Sequence, residues 1–421
     1  MHLSTLSTFI LLSTLTLALT HTLNFSSNGT FTILQITDLH YGEGDSPDEN
    51  NMKIQTELIK RVKPDVVVVT GDVISGYAYN GQPRFTEKAW EKFSKPFIET
   101  ETYYAFALGN HDAQDDISPQ SIYELEKANK YSLCALSQNE SFENFNYYLP
   151  VYSNIKENYA SSILWIFDSH SVGCGEDWNS WGCVEREQAN WYEKKSKELR
   201  DQHGKDVHHL GFFHIPVPEY MTLYNNHEFY GHRNEDVSCP LINTGFFDTL
   251  KKVGDIRATF VGHDHLNDYG GWIDGIELVY GRRTGYAGYG KLAGYHRGAR
   301  VIKLTEKETS EGNIRVEREH YVILEDPKYE EDITKQKELN RRKGSKQVVC
   351  VAGAGLESFL MTFWWILLGI VIVGGLGILT NRAIESYMIQ RKKDYSPIRV
   401  KRVISPSSDD DASSVENDFA I

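Results

Sequence analysis

Apolar positions along the chain fall into short runs, and five of those runs end in the same kinds of polar residue. Phe31, Ile33, Leu34 and Ile36 predict a strand over 31–37, which ends in Asp38-Leu39-His40. After a polar loop at 45–51, Met52, Leu58, Ile59 and Val62 recur at helical spacing and predict a helix over 52–63, stopped by Pro64. Residues 66–69 are a continuous valine run, as in a parallel strand buried on both faces, and it ends in Thr70-Gly71-Asp72. Ala89, Trp90, Phe93 and Phe97 predict a second helix over 85–97. A third strand over 104–108 runs into Gly109-Asn110-His111-Asp112.

The pattern continues. Helix and irregular cover are expected over 117–149, then a strand over 163–167 ending in Asp168-Ser169-His170. A strand over 210–213 ends in His214-Ile215-Pro216, and one over 259–261 ends in Gly262-His263-Asp264-His265. Helices are predicted over 185–199 and over 246–253, the latter capped by Thr244. Short strands alternate with Gly-rich turns over 278–303, and 315–324 adds an edge strand. Alternating strands and helices of these lengths indicate an α/β fold with no internal repeat.

Two uncharged apolar segments bracket this region. Residues 3–19 resemble a signal-peptide core, although His2 alone represents the n-region, and residues 359–380, with Trp364 and Trp365, meet the roughly 20 residues that a spanning helix needs. The expected organisation is a signal peptide at 1–20, an α/β domain at 31–324, a charged stalk at 325–358, a transmembrane helix at 359–380 and a disordered cytosolic tail at 381–421. Seven Lys and Arg between Arg382 and Arg402 follow the span, against Arg341, Arg342, Lys343 and Lys346 before it. With the leader, they predict a single-pass type I protein of the secretory pathway, cell surface or a lysosome-like compartment. Sequons at Asn24, Asn28 and Asn139 agree. In such a compartment Cys174 and Cys183 are expected to pair, leaving Cys134 with Cys239 and Cys350 unpaired. A net charge of -14 excludes nucleic acid as the partner.

A single His at a strand end is most often a hydrogen-bonded structural residue. Here the strand ends together supply Asp38, His40, Asp72, Asn110, His111, His214, His263 and His265. In open α/β sheets such loops converge at the carboxyl edge. Imidazoles and carboxylates in this number suit zinc, iron or manganese, and one carboxylate can bridge two ions about 3.5–4 Å apart. No metal-site spacing involves the cysteines, Asp168-Ser169-His170 is read as structural, and His208 and His209 are read as surface or strand residues. Arg282, Arg283, Tyr286 and Tyr289 are either substrate contacts or exposed turn residues.

The order Asp-x-His, Gly-Asp, Gly-Asn-His-Asp, a lone His and Gly-His-x-His resembles the calcineurin-like metallophosphoesterases. Phe-His-Ile-Pro, Gly-Phe-Phe and Val-Gly-His-Asp-His are most similar to the purple-acid-phosphatase-like subgroup. The resemblance covers about residues 33–303 and implies a four-layer αββα sandwich holding two metal ions. It implies that Asp38, His40 and His265 bind one ion, that Asn110, His214 and His263 bind the other, and that Asp72 bridges. His111 would face substrate as general acid, steadied by Asp112. Purple acid phosphatases carry a tyrosine ligand three residues after the bridging Asp; this chain has Ser75 there, so no tyrosinate colour is expected. Two cations would screen a phosphoester and lower the pKa of a bound water to about 7. The expected activity is phosphomonoester hydrolysis. A nucleotide or lipid head-group phosphodiesterase and a non-catalytic, metal-stabilised binding ectodomain are the alternatives.

Overall fold

The computed structural model describes residues 21–114, 117–134, 145–339 and 346–351, and there the apolar runs assemble into two main sheets. The smaller sheet runs in the order Ile314–Leu324, Gly298–Glu308, Thr30–Ile36, Val66–Thr70, Tyr104–Ala107. Its last three strands are parallel, and the first two form an antiparallel ribbon along Thr30–Ile36. The larger sheet has eight strands, with Ala160–Ile166, His208–Phe212, Ile256–Val261 and Ile276–Tyr280 parallel at its centre.

Side chains on a strand alternate between faces, and that period decides what each face of the larger sheet meets. Leu164, Ile166, Leu210, Phe212 and Phe260 join the valines of the smaller sheet in one apolar cluster. Their neighbours Ile163, Trp165, Phe167 and Val261 join Trp191, Tyr192, Phe246 and Leu250, from helices Arg186–His203 and Phe246–Val253, in a second. Val66 to Val69 are all fully buried because helices Asp45–Val62 and Phe85–Glu99 add Ile54, Leu58, Trp90 and Phe93 to the first cluster. Burying each such side chain stabilises the fold by about 1.5–3 kcal/mol relative to exposure. The fold is mixed α/β, as expected.

Several boundaries differ from expectation. The first helix begins at Asp45, inside the expected polar loop, because Asp45 and Asp48 favour its first turn and Asp48 Oδ1 accepts from Gly42 N at 2.9 Å. Thr244 does not cap the helix at Phe246–Val253: Gly245 holds that position at φ 81°, and the Thr244 hydroxyl donates to Val184 O. Strand Tyr147–Tyr152 was hidden by Pro150, which is tolerated because the outer side of the strand is paired only at Val151 and Tyr152. The hairpin Val172–Cys174 and Asp177–Trp181 was not foreseen either.

Cys174 pairs with Cys183 as expected. The other expected pairing is corrected: Cys239 bonds to Cys350, and Cys134 is free, its thiol pushed up to about 12 by burial. The cause is the return of residues 346–351 to the body. Gln347 exchanges hydrogen bonds with Val237 N and O, and Val351 N donates to Val237 O at 3.1 Å, which brings Cys350 beside Cys239. The charged stretch after Leu324 also touches the sheet, with Gln336 bonded to Val322 N and O. The signal peptide, the span at 359–380, the tail and sequon Asn139 lie outside the described residues. Among the described residues no helix is long and apolar enough to cross a membrane.

One buried histidine makes stability depend on pH. His209 Nδ1 accepts from Trp165 Nε1 at 3.0 Å, an arrangement that requires the neutral ring. Burial holds its pKa down at about 4, with Asp255 opposing. The folded pKa lies below the ordinary value of 6.5, so the stabilisation is complete above pH 6.5 and is lost as pH falls toward 4, by at most about 3 kcal/mol. The melting temperature should fall across that window, and His209→Gln should flatten the slope. A variant with an unchanged slope would show that other groups set it.

Candidate metal centre

The expected donors follow the carboxyl ends of parallel strands in both sheets and converge between them. Donor atoms of Asp38, His40, Asp72 and His265 lie within 4.8 Å of one another, and so do those of Asp72, His214 and His263. All six are buried, and Asn110 Oδ1 lies 3.0 Å from His214 Nε2. The seven expected ligand residues are therefore brought together in two groups that share Asp72. Its Oδ2 stands 3.5 Å from His40 Nε2 and 3.3 Å from His214 Nε2, while its Oδ1 accepts from His111 N at 3.0 Å. One carboxylate oxygen faces both groups, and the other ties down the backbone of His111.

Neighbouring groups fix which imidazole nitrogen presents a lone pair. A carbonyl only accepts, so His214 Nδ1 donates to Thr70 O at 2.7 Å and His265 Nδ1 to Tyr289 O at 2.9 Å, which turns Nε2 of each toward the centre. Ser75, where a tyrosine ligand was absent, does the same for His40. Its hydroxyl donates to Glu43 Oε1 and so accepts from His40 Nδ1 at 2.9 Å. The inward nitrogens stand in close pairs: His40 Nε2 and His265 Nε2 are 3.0 Å apart, and His214 Nε2 and His263 Nδ1 are 3.3 Å apart. Two nitrogens each about 2.0–2.1 Å from one ion stand at roughly that separation, so the donor set fits metal. Burial lowers the pKa of His40 to about 3 and puts His263 and His265 well below their ordinary range, which keeps these rings neutral donors. Against burial, the Asp72 charge raises His214 to about 9.

The backbone is bent hard to achieve this. Asp38, His40, Asp72 and His263 occupy the left-handed region at φ 55°, 56°, 50° and 77°, which residues other than glycine seldom enter. Gly109 has a different reason to be glycine. Its φ is not positive; a Cβ there would overlap the Asp72 backbone N and Oδ1 and lie 2.9 Å from Asp72 Cα.

The expected role of Asp112 is corrected. Both its oxygens are taken by backbone donors, Oδ1 by Ile74 N at 2.9 Å and Oδ2 by Gly109 N at 2.7 Å, so it shapes the loop and does not touch the His111 ring. Gln114 does that instead, its Oε1 2.8 Å from His111 Nδ1. Three other residues were missed: Tyr77, half exposed and edge-on to the His111 ring at 4.7 Å; Glu43, which Tyr77 and Gly288 also contact; and Trp181, edge-on to His263 at 4.6 Å. Only their nearness in sequence to Ser75, His40 and the Cys174–Cys183 loop hinted at them. Arg282 is committed to Asp268 at 2.6 Å, Arg283 to the carbonyls of Ala287 and Tyr289, and Tyr286 to Glu325. Tyr289 stacks on His265 at 4.0 Å. Asp168-Ser169-His170 is structural, Ser169 Oγ accepting from Ile215 N beside His214.

The family model for calcineurin-like phosphoesterases matches residues 31–267, more than half the chain and every donor above. This chain belongs to the calcineurin-like phosphoesterases. The chain is 30% identical over 66% of its length to "Probable inactive purple acid phosphatase 29" of Arabidopsis thaliana, covering 78% of that protein. It is 31% identical over 69% of its length to "Probable inactive purple acid phosphatase 14" of the same plant, covering 79% of it. It is also 27% identical over 58% of its length to "Phosphatase DCR2" of Saccharomyces cerevisiae, covering 45% of that protein. Among solved structures it resembles a dimetal phosphatase from Danio rerio, with 13% identity, a TM-score of 0.46, and coverage of 70% of this chain and 99% of that one. The Asp and His cluster of this chain is able to hold two metal ions.

Proposed function

We propose that the protein is an active phosphomonoesterase whose catalytic domain, a four-layer αββα sandwich, faces the lumen or cell exterior on a C-terminal membrane anchor. Asp38, His40 and His265 would hold one ion of iron, zinc or manganese, Asn110, His214 and His263 the other, with Asp72 between them. The two disulfides support an oxidising compartment.

The observation that carries activity is His111, which sits half-buried beside the shared Asp72 and outside the two groups of clustered donors. Two cations, when bound, screen the phosphoester charge and activate a water. Gln114 Oε1 accepts from His111 Nδ1, and the His111 ring stands 5.5 Å from that of His40, which leaves Nε2 as the nitrogen available to substrate. As the P–O bond to the leaving group breaks, Nε2 of protonated His111 gives its proton to the departing oxygen, and the neutral ring then recovers a proton from solvent. An alkoxide needs that proton, whereas a nitrophenolate needs it less.

The test is metal analysis of the purified protein joined to a phosphoester panel. His111→Ala should retain both ions yet lose about 10²-fold or more in kcat on alkyl monoesters and less than about 10-fold on nitrophenyl phosphate. Equal losses on both would remove His111 from the proton-donor role. The names of the Arabidopsis relatives favour a non-catalytic ectodomain instead. That reading predicts two bound ions, no hydrolysis of any monoester or diester, and a biological role that His111→Ala leaves intact.

A further inference from the structure

The last of the described residues, Val351, is joined to the metal centre through one side chain. Trp181 Nε1 donates to Val351 O at 3.0 Å, and the ring of the same Trp181 stands edge-on to His263 at 4.6 Å. One indole therefore separates a metal-site imidazole from the last described residue. Two disulfides meet here: Cys174–Cys183 closes the loop that carries Trp181, and Cys239–Cys350 fastens the residue next to Val351. Leu241 N also donates to Ser180 Oγ, which joins the segment after Cys239 to that hairpin.

Chain length then limits where the site can be. Without this attachment, the stretch from Leu324 to Phe359 would allow a separation of roughly 120 Å when fully extended. With Val351 fixed, only residues 352–358 remain before the apolar segment at 359–380, and they span at most about 30 Å. Exposed apolar side chains flank the exit. Trp178, three residues from Trp181, is 77% exposed, and Val348, three residues from Val351, is 81% exposed. Indoles favour the boundary between water and lipid.

We propose that the attachment of residues 346–351 holds the mouth of the metal centre against the membrane that anchors the chain, and that its substrate is a phosphomonoester headgroup of a lipid in that membrane. The proposal rests on the phosphomonoesterase reading above. It assigns the Cys239–Cys350 bond to positioning the site and gives the exposed Trp178 a surface to rest on.

The test compares the full chain with one carrying a flexible Gly/Ser insertion of about thirty residues between Val351 and Phe359. The insertion lies beyond every described contact. Both chains are reconstituted in phosphatidylcholine vesicles doped with phosphatidic acid and are also given water-soluble nitrophenyl phosphate. The insertion should lower release of phosphate from the lipid about 10-fold, through the fall in effective concentration with tether length, and leave the soluble rate unchanged. Trp178→Ser, with the native tether, should lower the lipid rate alone. Equal lipid rates for native and lengthened tethers would overturn this inference while leaving the phosphomonoesterase reading standing. Failure of the metal-loaded chain on both substrates would overturn that reading and this inference with it.

Discussion

Asp72→Asn is expected to remove both ions together and to lower phosphoester hydrolysis by at least about 10³-fold, or about 4 kcal/mol of barrier. The asparagine keeps the volume of the side chain. It can still accept from His111 N through its oxygen, but it then turns an NH₂ toward His40 Nε2 and His214 Nε2, where Asp72 Oδ2 stood 3.5 and 3.3 Å away. A donor replaces the charged acceptor that both groups share. Altering a residue that merely supports a ligand costs about 10–100-fold, so losing the shared ligand should exceed that range. Metal content per chain and kcat/KM on one monoester decide the matter. Asp72→Asn protein with two ions and more than a tenth of normal activity would show that Asp72 bridges nothing.

Gly109→Ala should be nearly as damaging, although it adds one methyl group and removes no ligand. The new Cβ would overlap the backbone N and Oδ1 of Asp72, so either that strand end shifts or the shared carboxylate turns away. Overpacking of this kind costs about 1–3 kcal/mol, and here the displaced atoms belong to the metal centre. A fall in unfolding free energy of about that size, with most of the metal lost, is the expected outcome. Gly81→Ala is the control. It also has positive φ but nothing within 4 Å of an added Cβ, so it should cost only about 1 kcal/mol and keep both ions. Normal metal content in Gly109→Ala would mean that the centre tolerates movement its packing does not suggest.

The centre was legible because parallel strands announce themselves twice, by unbroken β-branched runs such as Val66 to Val69 and by the polar residue at which each run stops. Contacts between distant segments left no such mark. The pairing of Cys239 with Cys350 depends on Gln347 reaching Val237, which no local spacing encodes. Asp112 looked like the partner of His111 because the two are adjacent. The turn sends its carboxylate instead to Gly109 N and Ile74 N, and the backbone wins because a buried N–H left without a partner costs about 1–3 kcal/mol. Likewise the hairpin at Val172–Cys174 and Asp177–Trp181 is too short and too polar to show a strand period, yet it carries Trp181 to His263.

The left-handed backbone at Asp38, His40, Asp72 and His263 sets stability against chemistry. Each costs on the order of 1 kcal/mol or more that a glycine would not incur. A chain selected only for resistance to heat would therefore drift toward glycine at these four positions, and each step would gain melting temperature by giving up a donor. The Asp and His that stand there give up conformational ease for donor atoms turned toward the centre.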